Sequence, residues 1–153
     1  FVAGFVGEFC RNEGVAESTF AVDVPSGMAL CFDPSHLRQV LWNLVANAVR
    51  YASGQAGCVR VFVRGEGVEG GVALHVWDDG RGIPVADREQ VFEPFFTTYH
   101  QGTGLGLYIS RELSEANGAS LALVEETQGA HFVLQGRSDR CQIAEASAGL
   151  GGN

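Results

Sequence analysis

The chain has 153 residues, enough for one domain of ordinary size, and its 46% hydrophobic content can fill a core. Its formal charge of −8, from 10 Lys+Arg against 18 Asp+Glu, argues against duplex nucleic acid as a partner. It leaves room for a small phosphorylated ligand held by backbone N–H groups or a metal ion. No apolar run approaches the roughly 18–20 residues that span a bilayer, and no basic-then-apolar leader is visible. The start at Phe1, without an initiator Met, points to a piece of a longer protein. Cys10, Cys31, Cys58 and Cys141 stand far apart with no CxxC pair, which predicts free thiols in a reducing compartment. His36, His75, His100 and His131 show no metal-ligand spacing.

In chain order, residues 1–18 read as helical or irregular, with a turn near "RNEG". "TFAVDV" (19–24) alternates Phe20, Val22 and Val24 with small or polar neighbours, the pattern of a half-buried strand. "MALCF" (28–32) reads as a second short strand. Next comes the strongest helix signal. Asp33 is a good N-cap and Pro34 suits the first turn. Leu37, Val40, Leu41, Leu44, Val45 and Ala48 then recur at helical spacing. "GCVRVFVRG" (57–65) and "VALHVWD" (72–78) are alternating strands joined by the loop "EGVEGG". "VADREQVF" (85–92) predicts a short helical segment and 93–104 a long connection. "LGLYISRELSEANG" (105–118) carries Leu105, Leu107, Ile109, Leu113 and Ala116 and predicts a helix that ends at Asn117 or Gly118. "SLALVEE" and "AHFVLQG" form a last hairpin, and 137–153 lacks any periodic pattern, as a disordered tail does. The expected architecture is α+β, a two-layer α/β sandwich. A mixed, mostly antiparallel sheet is covered on one face by helices, within a domain of residues 1–136.

Four short constellations could carry chemistry. On a wheel of about 100° per residue, Asn43, Asn47 and Arg50 fall within roughly 60° of one another, with Tyr51 beside them. Asparagine is a poor helix former. Two of them one turn apart are either ordinary solvent-facing polarity or a ligand stripe, in which an amide oxygen suits Mg²⁺, Arg50 meets phosphate and Tyr51 lies against a base. In "DDGRGI" (78–83), Asp78 ends a strand and could accept a hydrogen bond from the exocyclic amine of adenine. The same string would also serve as a plain turn. "VFEPFFTT" clusters Phe92, Phe95 and Phe96 around Pro94, a core plug that could also anchor a movable lid. "QGTGLGL" (101–107) sets Gly102, Gly104 and Gly106 at the mouth of a helix, where side-chain-free N–H groups make an anion site. It is neither a dinucleotide fingerprint nor a Walker loop.

"NLVANAVRYA", "DDGRGI", "FEPFFTT" and "GTGLGL", in this order, resemble the asparagine, first glycine, phenylalanine and second glycine boxes of the ATP-binding catalytic domain of sensor histidine kinases. The similarity runs from about Asp33 to Gly118, and "EPFFTTYHQGTGLGLYISRELSEANGA" is closer to the nitrogen-regulatory and type IV pilus branch. The resemblance implies the Bergerat-type fold shared with gyrase, heat-shock-chaperone and MutL ATPases. It implies ATP and Mg²⁺ as ligands, with Asn47 in the place of the metal-coordinating asparagine. Asn43 is then its catalytic partner one turn earlier, and Arg50 and Tyr51 are the basic and aromatic neighbours. Asp78 takes the adenine-reading place, flanked by Gly80, Gly82 and Ile83. Phe92 and Thr98 match the phenylalanine box, and Gly102, Thr103, Gly104, Leu105, Gly106 and Leu107 match the phosphate-covering end of the lid.

The chain departs from that pattern in three places. Tyr99 and His100 stand where relatives often carry lysine, Ala130 replaces a threonine in "GAHF", and Asp79 replaces the commoner asparagine. Related ATPases carry a glutamate base where this chain has Asn43, and an amide cannot take a proton from water. Transfer to a protein acceptor is therefore favoured over hydrolysis. None of the four histidines lies in an acceptor context; His36, His75 and His131 read as packing or surface residues. The resemblance thus implies γ-phosphoryl transfer to a histidine on an upstream dimerisation domain and then to a response regulator. It further implies a homodimeric full-length protein and a cytoplasmic domain that can be tethered to the inner membrane. Two other readings stay open here: a non-enzymatic nucleotide-binding module, and an anti-sigma-type serine kinase of the same fold.

Overall fold

The computed structural model describes residues 1–66, 70–126 and 128–138. Helix α1 (Val2–Glu13) ends in a left-handed Gly14, whose glycine meets no steric penalty there. A short 3₁₀ turn leads into strand β1 (Phe20–Asp23). Helix α2 (Pro34–Tyr51) starts as its sequence predicts: Asp33 accepts hydrogen bonds from the N–H groups of Ser35 (2.8 Å) and His36 (3.0 Å), and Pro34 fills the first turn. Strands β2 (Val59–Glu66) and β3 (Gly71–Asp78) form the first hairpin. Residues 67–69 of its loop lie outside the described residues. Helix α3 (Gly106–Ala116) and strands β4 (Ser120–Val124) and β5 (His131–Arg137) complete the fold.

The sheet order is β1-β2-β3-β5-β4, with β1 parallel to β2 and every other pairing antiparallel. The register aligns Val61 with Val76 and Val76 with Phe132, so one face presents a continuous apolar band. That band shares a single core with Phe5 and Phe9 of α1 and with Leu37, Val40, Leu41, Leu44, Val45 and Ala48 of α2. Val40, Leu41 and Val45 are 0% exposed. Each side chain so buried contributes about 1.5–3 kcal/mol, so α2 is the spine against which the sheet is held. The opposite face carries a different set: Phe62 stacks on His75 at 4.4 Å, His75 Nδ1 lies 2.9 Å from His131 Nε2, and Arg60 lies over Trp77.

Several expectations change. Residues 28–32 form no strand; Cys31 N–H donates to Arg137 O (2.7 Å), but no ladder develops. β1 is an edge strand of four residues in which only Phe20 reaches the core, through Phe9 at 6.1 Å, while Val22 stays 39% exposed. Alternation alone cannot tell an edge from a covered strand. Residues 85–92 contain one 3₁₀ turn, Val85–Asp87, followed by further turns. In α3 the fully buried residues are Ser110 and Ser114, both 0% exposed, whereas Ala116 is exposed. Their hydroxyls donate back to Gly106 O (2.8 Å) and Ser110 O (2.6 Å), so two small polar residues satisfy themselves while α3 lies close on α2. At the other end Arg137 closes β5 and Ser138 N–H donates to Gly70 O. The rest of the expected tail, from 139, lies outside the described residues, as does Cys141. Among the described residues Cys10 and Cys58 are buried free thiols.

Candidate nucleotide site

One cavity of about 770 Å³ opens between α2, the loop after β3 and the segment that leads into α3. From α2 it receives Asn43, Asn47, Arg50 and Tyr51, which the wheel had put on one stripe. From the other segments come Asp78, Gly82, Ile83, Thr98, Gly102, Thr103, Gly104, Gly106 and Leu107. Three of the expected residues do not line it. Gly80 turns its N–H back to Asp78 Oδ1, Leu105 serves as the N-cap position of α3, and Phe92 packs edge-on against Phe132 at 6.0 Å. Beside Phe92, Phe96 and Val91 do line the cavity. Arg81, Arg88 and Ala130 also line the cavity, and no motif had singled out the two arginines as ligand-facing. Position between two glycines was the available signal for Arg81.

Asp78 is 2% exposed, at the end of the buried strand β3. Its backbone N–H donates to Ala130 O (3.0 Å) and its Oδ1 accepts from the Gly80 N–H (2.9 Å). Burial pushes its carboxyl above the usual carboxylate range; the Gly80 and Ala130 backbone groups pull the other way, and the neighbouring Asp79 adds to the rise. Glycine at 80 is required by crowding, since a Cβ there would lie 2.3 Å from Tyr51 O. Asp79 has a different task. Its two oxygens accept from the N–H (2.8 Å) and hydroxyl (2.7 Å) of Ser53, which holds its carboxyl below the usual range and pins the turn after α2. Of two adjacent aspartates, one faces the cavity and one fastens the scaffold.

Asn43 and Asn47 are separated in the same way. Asn43 Nδ2 donates to Gly106 O and to Ser110 Oγ, both at 3.1 Å, and so ties α2 to the first turn of α3. Asn47 lines the cavity with its amide bonded to no described residue. At the start of α3 no side chain caps the helix. Thr103 Oγ1 accepts from Leu105 N–H (3.3 Å), which leaves the N–H groups of the next residues directed outward at a helix N-terminus. The lining carboxylates are Asp78 and Asp87, and none of the four histidines is part of the lining. His36 instead meets the Asn117 amide at 3.0 Å, and His75 and His131 pair on the far face of the sheet. Among the described residues no cluster of three or more His, Cys, Asp or Glu could hold a metal, and no helix is long and apolar enough to cross a membrane.

This arrangement offers an acceptor in an apolar end, a free amide oxygen, cations, and exposed helix N–H groups around one space large enough for a nucleotide. Residues 32–138 match the family described as histidine kinase-, DNA gyrase B-, and HSP90-like ATPase. The chain is 44% identical over 99 residues to the sensor protein kinase PilS of Pseudomonas aeruginosa, covering 63% of this chain and 19% of that protein. It is 39% identical over 103 residues to the sensor histidine kinase ZraS of Escherichia coli, covering 67% and 22%. The chain therefore spans about a fifth of the length of these curated relatives. Among solved structures, full-length ShkA in complex with AMPPNP superposes with a TM-score of 0.71 at 27% identity, covering 90% of this chain and 30% of that one. The catalytic domain of the histidine kinase ThkA gives 0.68 at 27% identity, covering 89% and 91%. By its matched length, its fold and the contents of its cavity, the chain belongs to the histidine kinase-, DNA gyrase B-, and HSP90-like ATPase family, and within it to the ATP-binding domains of sensor histidine kinases.

Proposed function

We propose that the chain is the phosphoryl-donating unit of a two-component sensor kinase. It binds ATP with Mg²⁺ and passes the γ-phosphoryl to a histidine on a dimerisation domain outside this chain, from which a response regulator receives it. The full protein then works as a homodimer that can be tethered to the inner membrane, with this domain on the cytoplasmic side. The observation that carries the reading is the pairing, in one cavity, of buried Asp78 with the unpartnered amide of Asn47 and the uncapped start of α3.

Asp78 accepts a hydrogen bond from the exocyclic amine of adenine while Gly80 N–H occupies its Oδ1. Ile83, Val91, Phe96 and Leu107 give the base an apolar enclosure. The residues present suit a hard divalent cation: Asn47 offers a neutral oxygen that no described residue engages. Mg²⁺, when bound, offsets the charge of the triphosphate. Arg50 and the N–H groups at Gly106 and Leu107 hold the phosphates from the protein side. Asn43 is held by α3 and is an amide, so it cannot activate water; with Asp78 at the base-reading end, the site favours positioning for transfer over hydrolysis. Calorimetric titration with ATP and Mg²⁺ tests the binding half. Binding that survives unchanged in both Asn47→Asp and Asp78→Asn would sink the assignment. Mixing the chain with a histidine-bearing dimerisation domain and labelled ATP tests the transfer half, with acid-labile phosphohistidine as the expected product.

A further inference from the structure

At the cavity mouth two tyrosines meet two arginines in a way that ATP binding alone leaves unexplained. The Arg50 guanidinium, on the last turn of α2, lies 4.1 Å over the ring of Tyr99, which belongs to the segment ahead of α3. Next to it, the Tyr51 hydroxyl is 3.4 Å from Thr98 Oγ1, and Arg81 lies 5.4 Å over the Tyr51 ring. Tyr99 is fixed from its own segment. Its N–H donates to Thr97 Oγ1 (3.0 Å) and its hydroxyl donates to Gln101 Oε1 (3.2 Å). Glycine at 102 leaves room for Thr97, since a Cβ there would lie 2.9 Å from the Thr97 Oγ1 that accepts from Tyr99 N–H. Among the described residues neither Arg50 nor Arg81 is ion-paired, whereas Arg38, Arg64, Arg88 and Arg111 each pair with a carboxylate. In a chain of charge −8 an unpaired arginine held on an aromatic face is a cation kept available.

We propose that Tyr99 is a positioning residue for the polyphosphate. It holds the Arg50 guanidinium at the cavity mouth by a cation–π contact, so that one side chain reads both the placement of the 97–101 segment and the charge of the nucleotide tail. This rests on the ATP-binding reading above. Tyr99 does not line the cavity and acts only through Arg50. The physical gain is preorganisation. Arginine is rotamer-rich, and a planar guanidinium stacked on a fixed ring loses that freedom before the anion arrives. Because the contact acts on charge, its loss should scale with phosphate and leave the base end untouched.

The test compares affinities of the chain for ATP and for adenosine. Tyr99→Leu should weaken ATP about three- to tenfold, as expected for one cation–π contact, while adenosine affinity and the melting temperature stay unchanged. Tyr99→Phe keeps the ring and should retain most of the ATP affinity. Arg50→Met combined with Tyr99→Leu should be no weaker than Arg50→Met alone. Equal losses for ATP and adenosine, a Tyr99→Phe variant as poor as Tyr99→Leu, or additive losses in the double variant would each overturn the proposal while the ATP-binding reading stands. Failure of the unaltered chain to bind ATP would overturn both.

Discussion

Substituting Gly104 and Gly106 separately by alanine should have opposite consequences, although the two glycines are two residues apart in one string. Gly104 has φ +71°, and a Cβ on it would lie 2.5 Å, 2.7 Å and 2.8 Å from the backbone C, Cα and O of Phe95. Those atoms cannot swing aside as a flexible side chain would. They are also bonded in place, since Phe95 N–H donates to Gly104 O (2.8 Å) and Phe95 itself sits at φ 67°. An L residue in the left-handed region costs about 1–2 kcal/mol. Losing the Phe95–Gly104 hydrogen bond as the strands of the loop part costs about 0.5–1.5 kcal/mol more. The combined penalty of about 1.5–3.5 kcal/mol corresponds to roughly a 10- to 300-fold loss of ATP affinity, at tenfold per 1.4 kcal/mol. Phe95 is 75% exposed and Phe96 is the residue of this loop that packs on the core, so the strain opens the loop locally and leaves the melting temperature nearly unchanged. At Gly106 the nearest atom to a Cβ is Asn43 Cγ at 3.6 Å, an ordinary contact, and alanine favours a helix over glycine by about 1 kcal/mol. Gly106→Ala should therefore keep ATP affinity within about threefold. Calorimetry on the two variants, with thermal melts in parallel, decides the matter. Equal losses in both, or a harmless Gly104→Ala, would refute the reasoning and point to direct ligand contact as the reason for the glycines.

Asp78→Asn should abolish ATP binding and yet raise the melting temperature at pH 7. The carboxyl's folded pKa lies above its unfolded value, so its favourable contribution is full below about pH 3.9 and is lost as pH rises through the folded value. Asparagine mimics the neutral acid, and the gain over the parent should fade as pH drops towards 4; a variant no more stable at pH 7 would contradict this. Ser53→Ala should lower stability by removing the hydroxyl bond to Asp79 while the backbone N–H bond remains. Because the Asp79 pKa is depressed, the difference from the parent should persist at pH 7 and 5 and disappear only below about pH 3.9, in thermal melts across that range. Leu41→Ala, at a site 0% exposed, should cost about 2–5 kcal/mol in urea unfolding, and a loss below about 1 kcal/mol would place Leu41 outside the core.

The order of elements and the stripe on α2 were legible in the chain itself. Asp33 and Pro34 announce a helix start through local hydrogen bonding and a preset φ, and the 3.6-residue recurrence from Leu37 to Ala48 needs no distant partner to be recognised. The paired valines of β2 and β3 follow the same logic with a period of two. Asn47, Arg50, Tyr51 and Asp78 could be gathered because helix spacing and strand ends fix where such side chains stand.

What the tertiary structure decided concerns contacts between segments far apart in sequence. Val22 alternates like a buried residue and is exposed, because burial depends on which neighbour covers the strand. Residues 28–32 have strand composition without a ladder partner. Ser110 and Ser114 occupy the buried face of α3 because the close approach of α2 selects small residues that bond their own helix. Only the fold shows that Asp79 fastens Ser53, and that Phe96 lines the cavity while Phe92 packs against Phe132. The four local strings thus determined what chemistry the chain could hold. Long-range packing decided which residue of each string faces the cavity, because a one-residue change of facing leaves composition and spacing the same but turns the side chain to the other side of the backbone.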